Sequence, residues 1–199
     1  MKLVCLDLEG VLLPEFWQEF SIATNIPALM KTTRDEPNYN KLMQMRLSVL
    51  EENNFGINEI KDVVKTMKPL EGAPEFITWL RERAQVVILT GTFYEYITPL
   101  MEKLGYPCMF ANTLNIDDGG KIVGYNLREA DGKIEMIKRF HDAGMQTIAI
   151  GDSFNDLSML KEAGKGIIFR GCEALKKQEP HLLCAENYEE LKTILKNHL

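Results

Sequence analysis

Two carboxylates one residue apart, Asp7 and Glu9, end an apolar run that begins at Leu3, and Gly10 follows them. A second acidic group, Gly151-Asp152-Ser153-Phe154-Asn155-Asp156, follows the apolar stretch Thr147-Ile148-Ala149-Ile150. Thr90-Gly91-Thr92 follows Gln85-Val86-Val87-Ile88-Leu89, and Lys133 stands just ahead of a helical pattern. Hard carboxylate oxygens suit Mg²⁺, which keeps several waters and needs few protein ligands. A carboxylate held beside phosphorus can act as a nucleophile and form an acyl phosphate. A carboxyl two residues further on can protonate a leaving oxygen. Hydroxyl, backbone N–H and ammonium donors hold phosphoryl oxygens and offset transition-state charge.

Each feature alone has a plainer reading. Asp-x-Glu at a strand end can be a solvated loop, Thr-Gly a turn, the Ser or Asp of the acidic group a helix cap, and Lys133 a surface lysine. Their order on similar elements is what carries weight. The runs from Leu3, Gln85 and Thr147, with Gly166–Phe169 and Leu182–Ala185, are short and continuously apolar, as strands buried on both faces are. Helical spacing fills the intervals at Glu75–Arg83, Tyr94–Leu104, Ile134–Ala143, Leu157–Ala163 and Tyr188–Leu199. Such alternation predicts an α/β fold with a largely parallel, Rossmann-like sheet. Ligands bind such sheets at the carboxyl ends of the strands, where the candidate residues fall.

Two segments break the alternation. From about Pro14 to Pro69 there is no strand pattern but several helical ones, including Lys41–Glu52 with Leu42, Met45, Val49 and Leu50 near one face. This predicts a helical cap over 14–70, inserted after the first strand of a core made from 1–13 and 71–199. Between Met109 and Leu127, two β-rich runs flank Asp117-Asp118-Gly119-Gly120-Lys121, which predicts a small β-hairpin insertion.

The 199 residues carry 29 acidic against 23 basic side chains, a net charge of −6, with 45% apolar and 26% charged residues. This is an ordinary globular composition. The acidic balance argues against nucleic acid or anionic membrane as partner. No apolar run nears the roughly 18 residues of a membrane-spanning helix. Asp7 and Glu9 interrupt the opening apolar stretch too early for a signal peptide, so the expected location is the cytoplasm. Cys5, Cys108, Cys172 and Cys184 are scattered, as are His141, His181 and His198, which gives no zinc or disulfide spacing. The sequence specifies no oligomeric state.

The quoted segments resemble the four motifs of the haloacid dehalogenase superfamily of aspartyl-phosphate phosphatases. Over essentially its whole length the chain is similar to the phosphoserine phosphatase family, with Pro69-Leu70-Glu71-Gly72-Ala73 and Phe110-Ala111-Asn112-Thr113-Leu114 adding to the match. Cys5-Leu6-Asp7-Leu8-Glu9-Gly10-Val11-Leu12 and Thr32-Thr33-Arg34-Asp35 are closest to its bifunctional phosphoserine phosphatase/homoserine phosphotransferase branch.

The resemblance implies a Mg²⁺-dependent hydrolysis of O-phospho-L-serine, with transfer to homoserine as a second activity. It makes Asp7 nucleophile and metal ligand. Glu9 becomes general acid, then base, and gives the metal its backbone carbonyl. Asp152 is the second carboxylate ligand, and Asp156 supports the metal from behind. Thr90, Gly91 and Lys133 bind the phosphoryl group, with Asn155 beside it. Glu15 faces the substrate ammonium and Arg46 its carboxylate, a pairing that suits a planar guanidinium.

Two departures stand out. Most phosphatases of the superfamily have Asp where this chain has Glu9. Thr90-Gly91-Thr92 differs from the Ser-Asp-Thr of the bifunctional branch. The alternatives are another small phosphate ester as substrate, or a receiver-like signalling module. A receiver is about 120 residues without a cap, and its acceptor follows a later strand.

Overall fold

The computed structural model describes residues 1–32, 35, 36, 38–129 and 131–199. The chain opens with β1 (Lys2–Leu6), then α1 (Phe16–Thr24), a 3₁₀ turn over Pro27–Met30, α2 (Tyr39–Glu52) and α3 (Ile57–Thr66). Next come α4 (Ala73–Arg81), β2 (Gln85–Phe93), α5 (Tyr94–Lys103), β3 (Cys108–Ile116) and β4 (Ile122–Asn126). The last part holds α6 (Gly132–Asp142), β5 (Gln146–Gly151), a 3₁₀ turn over Phe154–Asp156, α7 (Leu157–Glu162), β6 (Lys165–Phe169), α8 (Glu173–Gln178), β7 (Leu183–Ala185) and α9 (Tyr188–Lys196).

The strands form one seven-stranded sheet in the order β4-β3-β2-β1-β5-β6-β7, parallel except for β3–β4. Alternate side chains of β1 leave opposite faces, as the two-residue period of a strand requires. Val4 and Leu6 join an apolar cluster with Ile88, Ile150, Phe76 and Leu191. Leu3 and Cys5 join another with Val87, Ala149, Met136, Met159 and Leu175. The sheet is therefore covered on both sides, as its continuously apolar strands demand. The first cluster also takes in Phe16, Phe20, Met43, Leu50, Ile60 and Val64, so α1–α3 share one apolar core with the sheet.

Register decides where the chemistry gathers. Leu6 sits between Ile88 of β2 and Ile150 of β5, so the ends of β1 and β5 lie side by side and next to the Leu89–Phe93 stretch of β2. The chain leaves β1 toward β2 and later returns to β5 on its other flank, a switch point of the kind where open α/β sheets bind ligands.

One expectation needs correction. Thr90-Gly91-Thr92 does not end the second strand, because β2 continues through them to Phe93 with a pairing irregularity between Leu89 and Phe93. The expected hairpin is present as β3–β4. β3 pairs in parallel with β2 over Cys108–Phe110 and antiparallel with β4 over Thr113–Ile116, making it both core strand and hairpin arm.

Candidate active site

Asp7 is the first residue beyond β1, and its N–H donates to the Ile150 carbonyl (2.9 Å), which ties it to the end of β5. Its Oδ1 lies 2.8 Å from Lys133 Nζ, and the same ammonium lies 2.6 Å from Asp156 Oδ1. Lys133 is only 6% exposed, being the second residue of α6 and turned inward, so it is no surface lysine. Burial works against its charge, yet Asp156 and Asp7 outweigh burial and hold its pKa above the ordinary value.

Asp156 is fully buried. Its Oδ2 accepts from the Asp152 and Ser153 N–H groups (3.0 and 3.1 Å) and from Ser153 Oγ (3.2 Å). With Lys133 on its other oxygen, Asp156 braces the loop and leaves the cavity to its neighbours. Asp152 Oδ1 is buried with no hydrogen-bond partner among the described residues. Gly10 makes room for that carboxyl. Its φ is +78°, and a Cβ there would fall 2.3 Å from Asp152 Cγ.

Carboxylate oxygens of Asp7, Asp152 and Asp156 lie within 4.8 Å of one another and could hold a metal ion. Burial pushes Asp7 up to about 7, with the Asp156 charge adding and Lys133 opposing. Burial, then Asp7 and Asp156, pushes Asp152 up to about 8. Crowded carboxylates, one with an orphaned buried oxygen, fit a hard divalent cation, which would relieve their repulsion and supply the missing partner.

Glu9 faces the same cavity. Its Oε1 accepts the Phe16 N–H (2.8 Å), so it also caps the first turn of α1. Burial, then Glu15, raises it to about 8, against the Phe16 N–H and Arg46. A carboxyl raised in this way suits a group that must hold a proton and give it up. Glu15 itself stands at the N-cap of α1.

Arg46 shares the inner face of α2 with Leu42 and Leu50, at four-residue spacing. Its guanidinium lies 4.6 Å over the Trp17 ring, with Nη2 donating to the Lys31 carbonyl (3.0 Å) and Nη1 to Met43 Sδ (3.7 Å). Nε has no partner among the described residues. A buried cation so held is stable enough to exist and free enough to bind an anion.

These groups bound one cavity of about 290 Å³. Asp7, Glu9, Thr90, Gly91, Lys133 and Asp152 line it, as do Glu15 from the start of α1, Arg46 from α2 and the exposed Asn155. Nine of the ten residues singled out from sequence line it, and Asp156 acts from behind. Sequence reading missed Trp17, Tyr39 and Tyr96, which also line it. Tyr39 could have been found, since it precedes Leu42 and Arg46 by three and seven residues, on the same helix face. Thr33 and Arg34 of the Thr32–Asp35 stretch lie outside the described residues.

A parallel sheet that gathers Asp7, a carboxylate cluster and a buried helix-borne lysine beside its strands holds the kinds of group that phosphoryl transfer needs. A model of the haloacid dehalogenase-like hydrolases matches residues 1–164, and the chain belongs to that family. It is 48% identical to phosphoserine phosphatase ThrH of Pseudomonas aeruginosa, over 96% of this chain and 94% of that one. A substrate-bound phosphoserine phosphatase complex superposes with a TM-score of 0.79 at 27% identity, covering 98% of this chain and 97% of the other. A phospho-aspartyl intermediate analogue of phosphoserine phosphatase gives 0.77 at 27% identity, covering 98% of each.

Proposed function

We propose that the protein is a Mg²⁺-dependent phosphoserine phosphatase working through an aspartyl phosphate on Asp7. The observation that carries this is a single cavity lined both by Asp7, held against Lys133 beside the orphaned Asp152 oxygen, and by Glu15 and Arg46. The first set suits a phosphoryl group, the second an amino-acid zwitterion. A volume of about 290 Å³ suits a small ester. The names of the relatives support the same substrate.

In this reading Asp7 Oδ attacks phosphorus while Thr90, Gly91 and Lys133 hold the phosphoryl oxygens and Asn155 flanks them. Glu9 gives its proton to the departing serine oxygen. The resulting Glu9 carboxylate then takes a proton from water, whose oxygen attacks phosphorus and frees Asp7. Asp7, Asp152 and the Glu9 carbonyl would hold Mg²⁺, with Asp156 bracing Asp152, and the bound ion would neutralise charge on the phosphoryl oxygens. Residues 14–70 serve as the cap that brings Glu15 and Arg46 onto a core of 1–13 and 71–199 and excludes water during the reaction.

The substrate is a small molecule, and neither nucleic acid nor membrane is a partner. No described helix is long and apolar enough to cross a membrane. The four free cysteines suit a reducing cytoplasm. Homoserine in place of water would make the second activity. The test is phosphate release from phosphoserine with Mg²⁺, with and without homoserine, for wild type and Asp7→Asn. Wild-type turnover abolished in Asp7→Asn is the expected result, and an inactive wild type would overturn the reading. Phosphohomoserine in the mixture would establish transfer.

A further inference from the structure

We propose that Tyr39 and Asn112 are positioning residues that set the Thr90 hydroxyl to donate into the cavity, through the Gly91–Thr92 peptide. The proposal rests on the phosphoryl-binding reading of Thr90 above. The carbonyl end of that peptide is gripped twice. Tyr39 Oη, carried on α2, donates to the Gly91 oxygen (3.3 Å), and Asn112 Nδ2, on β3, donates to the same oxygen (2.9 Å). Asn112 is fixed in turn, since its Oδ1 accepts the Arg128 N–H (3.0 Å) and so its amide points one way.

A peptide is planar, so fixing its oxygen fixes its N–H on the opposite side. That N–H belongs to Thr92 and donates to Thr90 Oγ1 (3.2 Å). A hydroxyl that accepts a fixed donor turns its own hydrogen elsewhere. Thr90 is 4% exposed and lines the cavity. Its O–H is thus free to meet a phosphoryl oxygen, and it has paid its orientation cost before substrate arrives.

The pairing irregularity in β2 explains why such a grip is needed. Between Leu89 and Phe93 the β2–β3 ladder is interrupted, so no regular strand pairing holds Gly91. Two side chains replace it, and one comes from the helical segment that also carries Arg46. The segment that carries Arg46 thereby also holds the peptide next to the phosphoryl donor.

The test uses Tyr39→Phe, Thr90→Val and the double variant. Tyr39→Phe keeps the ring and loses only the hydroxyl. Expected for Tyr39→Phe is a fall in kcat of about five- to tenfold on phosphoserine, with KM within about twofold, as loss of one well-placed hydrogen bond in the transition state gives. In the Thr90→Val background the same change should cost less than about 1.5-fold, because the hydroxyl it orients is gone. Direct titration of orthovanadate, a phosphate mimic, into each Mg²⁺-loaded protein by calorimetry should show the same non-additivity without needing turnover. Full additivity of the two changes, or a Tyr39→Phe enzyme equal to wild type, would overturn the proposal. If wild type binds vanadate but ignores phosphoserine, the substrate reading fails, and the vanadate cycle still judges this one.

Discussion

Lys133 is the residue on which the site's electrostatics turn. It is the one ammonium shared by Asp7 and Asp156, all three being nearly or fully buried. Removing one partner of a buried ion pair leaves uncompensated charge, which costs about 3–5 kcal/mol. Lys133→Met keeps the length and loses the charge, so urea unfolding should show a loss of that order. Activity should fall by about 10² or more, since the donor proposed for the phosphoryl group goes with it. A variant of wild-type stability would mean that the two carboxylates do not depend on the lysine. Glu9 offers a second test at this scale. Its Oε1 is engaged by the Phe16 N–H at 2.8 Å, a reach that the extra methylene over Asp makes possible. Glu9→Asp should release that contact and raise the ratio of hydrolysis to homoserine transfer. An unchanged product ratio in a Mg²⁺ assay with homoserine would refute the link. At this scale the residue types were readable from the sequence, because phosphoryl chemistry needs few kinds of group. The face that Tyr39 shares with Arg46 was readable from their spacing, but its role was not, because an aromatic on an apolar helix face looks like core until its hydroxyl is seen against Gly91.

Among the elements, the β3–β4 hairpin does more than its sequence announced. Its turn presents the Gly120 carbonyl to the Ile57 N–H at the start of α3 (2.9 Å), Lys121 pairs with Glu51 of α2 (2.7 Å), and Tyr125 Oη donates to Asn40 (2.8 Å). The hairpin thus clasps two helices of the inserted segment. The exposed ion pair contributes little on its own. Close backbone contact is the stronger term. A Cβ at Gly56 would lie 2.5 Å from the Gly120 oxygen, so only glycine lets the two approach. Gly56→Ala should cost about 1–3 kcal/mol by denaturation and weaken phosphoserine binding more than an equally destabilising change in α9. Equal effects on binding would detach the hairpin from the site. Strands buried on both faces were legible as short apolar runs such as Val-Val-Ile-Leu, whose β-branched residues and flanking turn signals favour strand over helix. The reach of β2 past Leu89 was hidden, since Thr-Gly-Thr reads as a turn and its partner strand supplies the only sign that it continues. β3 was hidden for a similar reason. Its antiparallel half advertises a hairpin through Asp-Gly chemistry, whereas parallel pairing leaves no local mark.

For the whole molecule, a net charge of −6 looks ill suited to an anionic ester until the acids are located. Asp7, Glu9, Asp152 and Asp156 stand together where a cation would offset them, and Lys133 and Arg46 face the same cavity or its wall. Global charge was therefore readable from the sequence but uninformative about the substrate, while local charge needed the register of β1 between β2 and β5. Clustering has a thermodynamic consequence. Asp7, Glu9 and Asp152 are raised to about 7, 8 and 8, whereas unfolded carboxyls titrate near 4. The folded chain thus holds protons that the unfolded chain has already released. Their contribution to stability is present at acid pH and is lost as pH rises through 7 to 8. In chelator, the Tm should fall as pH goes from 5 to 8. Mg²⁺ competes with those protons for the same oxygens, so it should raise the Tm more at pH 8 than at pH 5. Thermal melts at the two pH values, with Mg²⁺ and with chelator, give all four numbers. A metal-free Tm that climbs toward pH 8, or a Mg²⁺ effect larger at pH 5, would show that the carboxylate cluster does not govern stability.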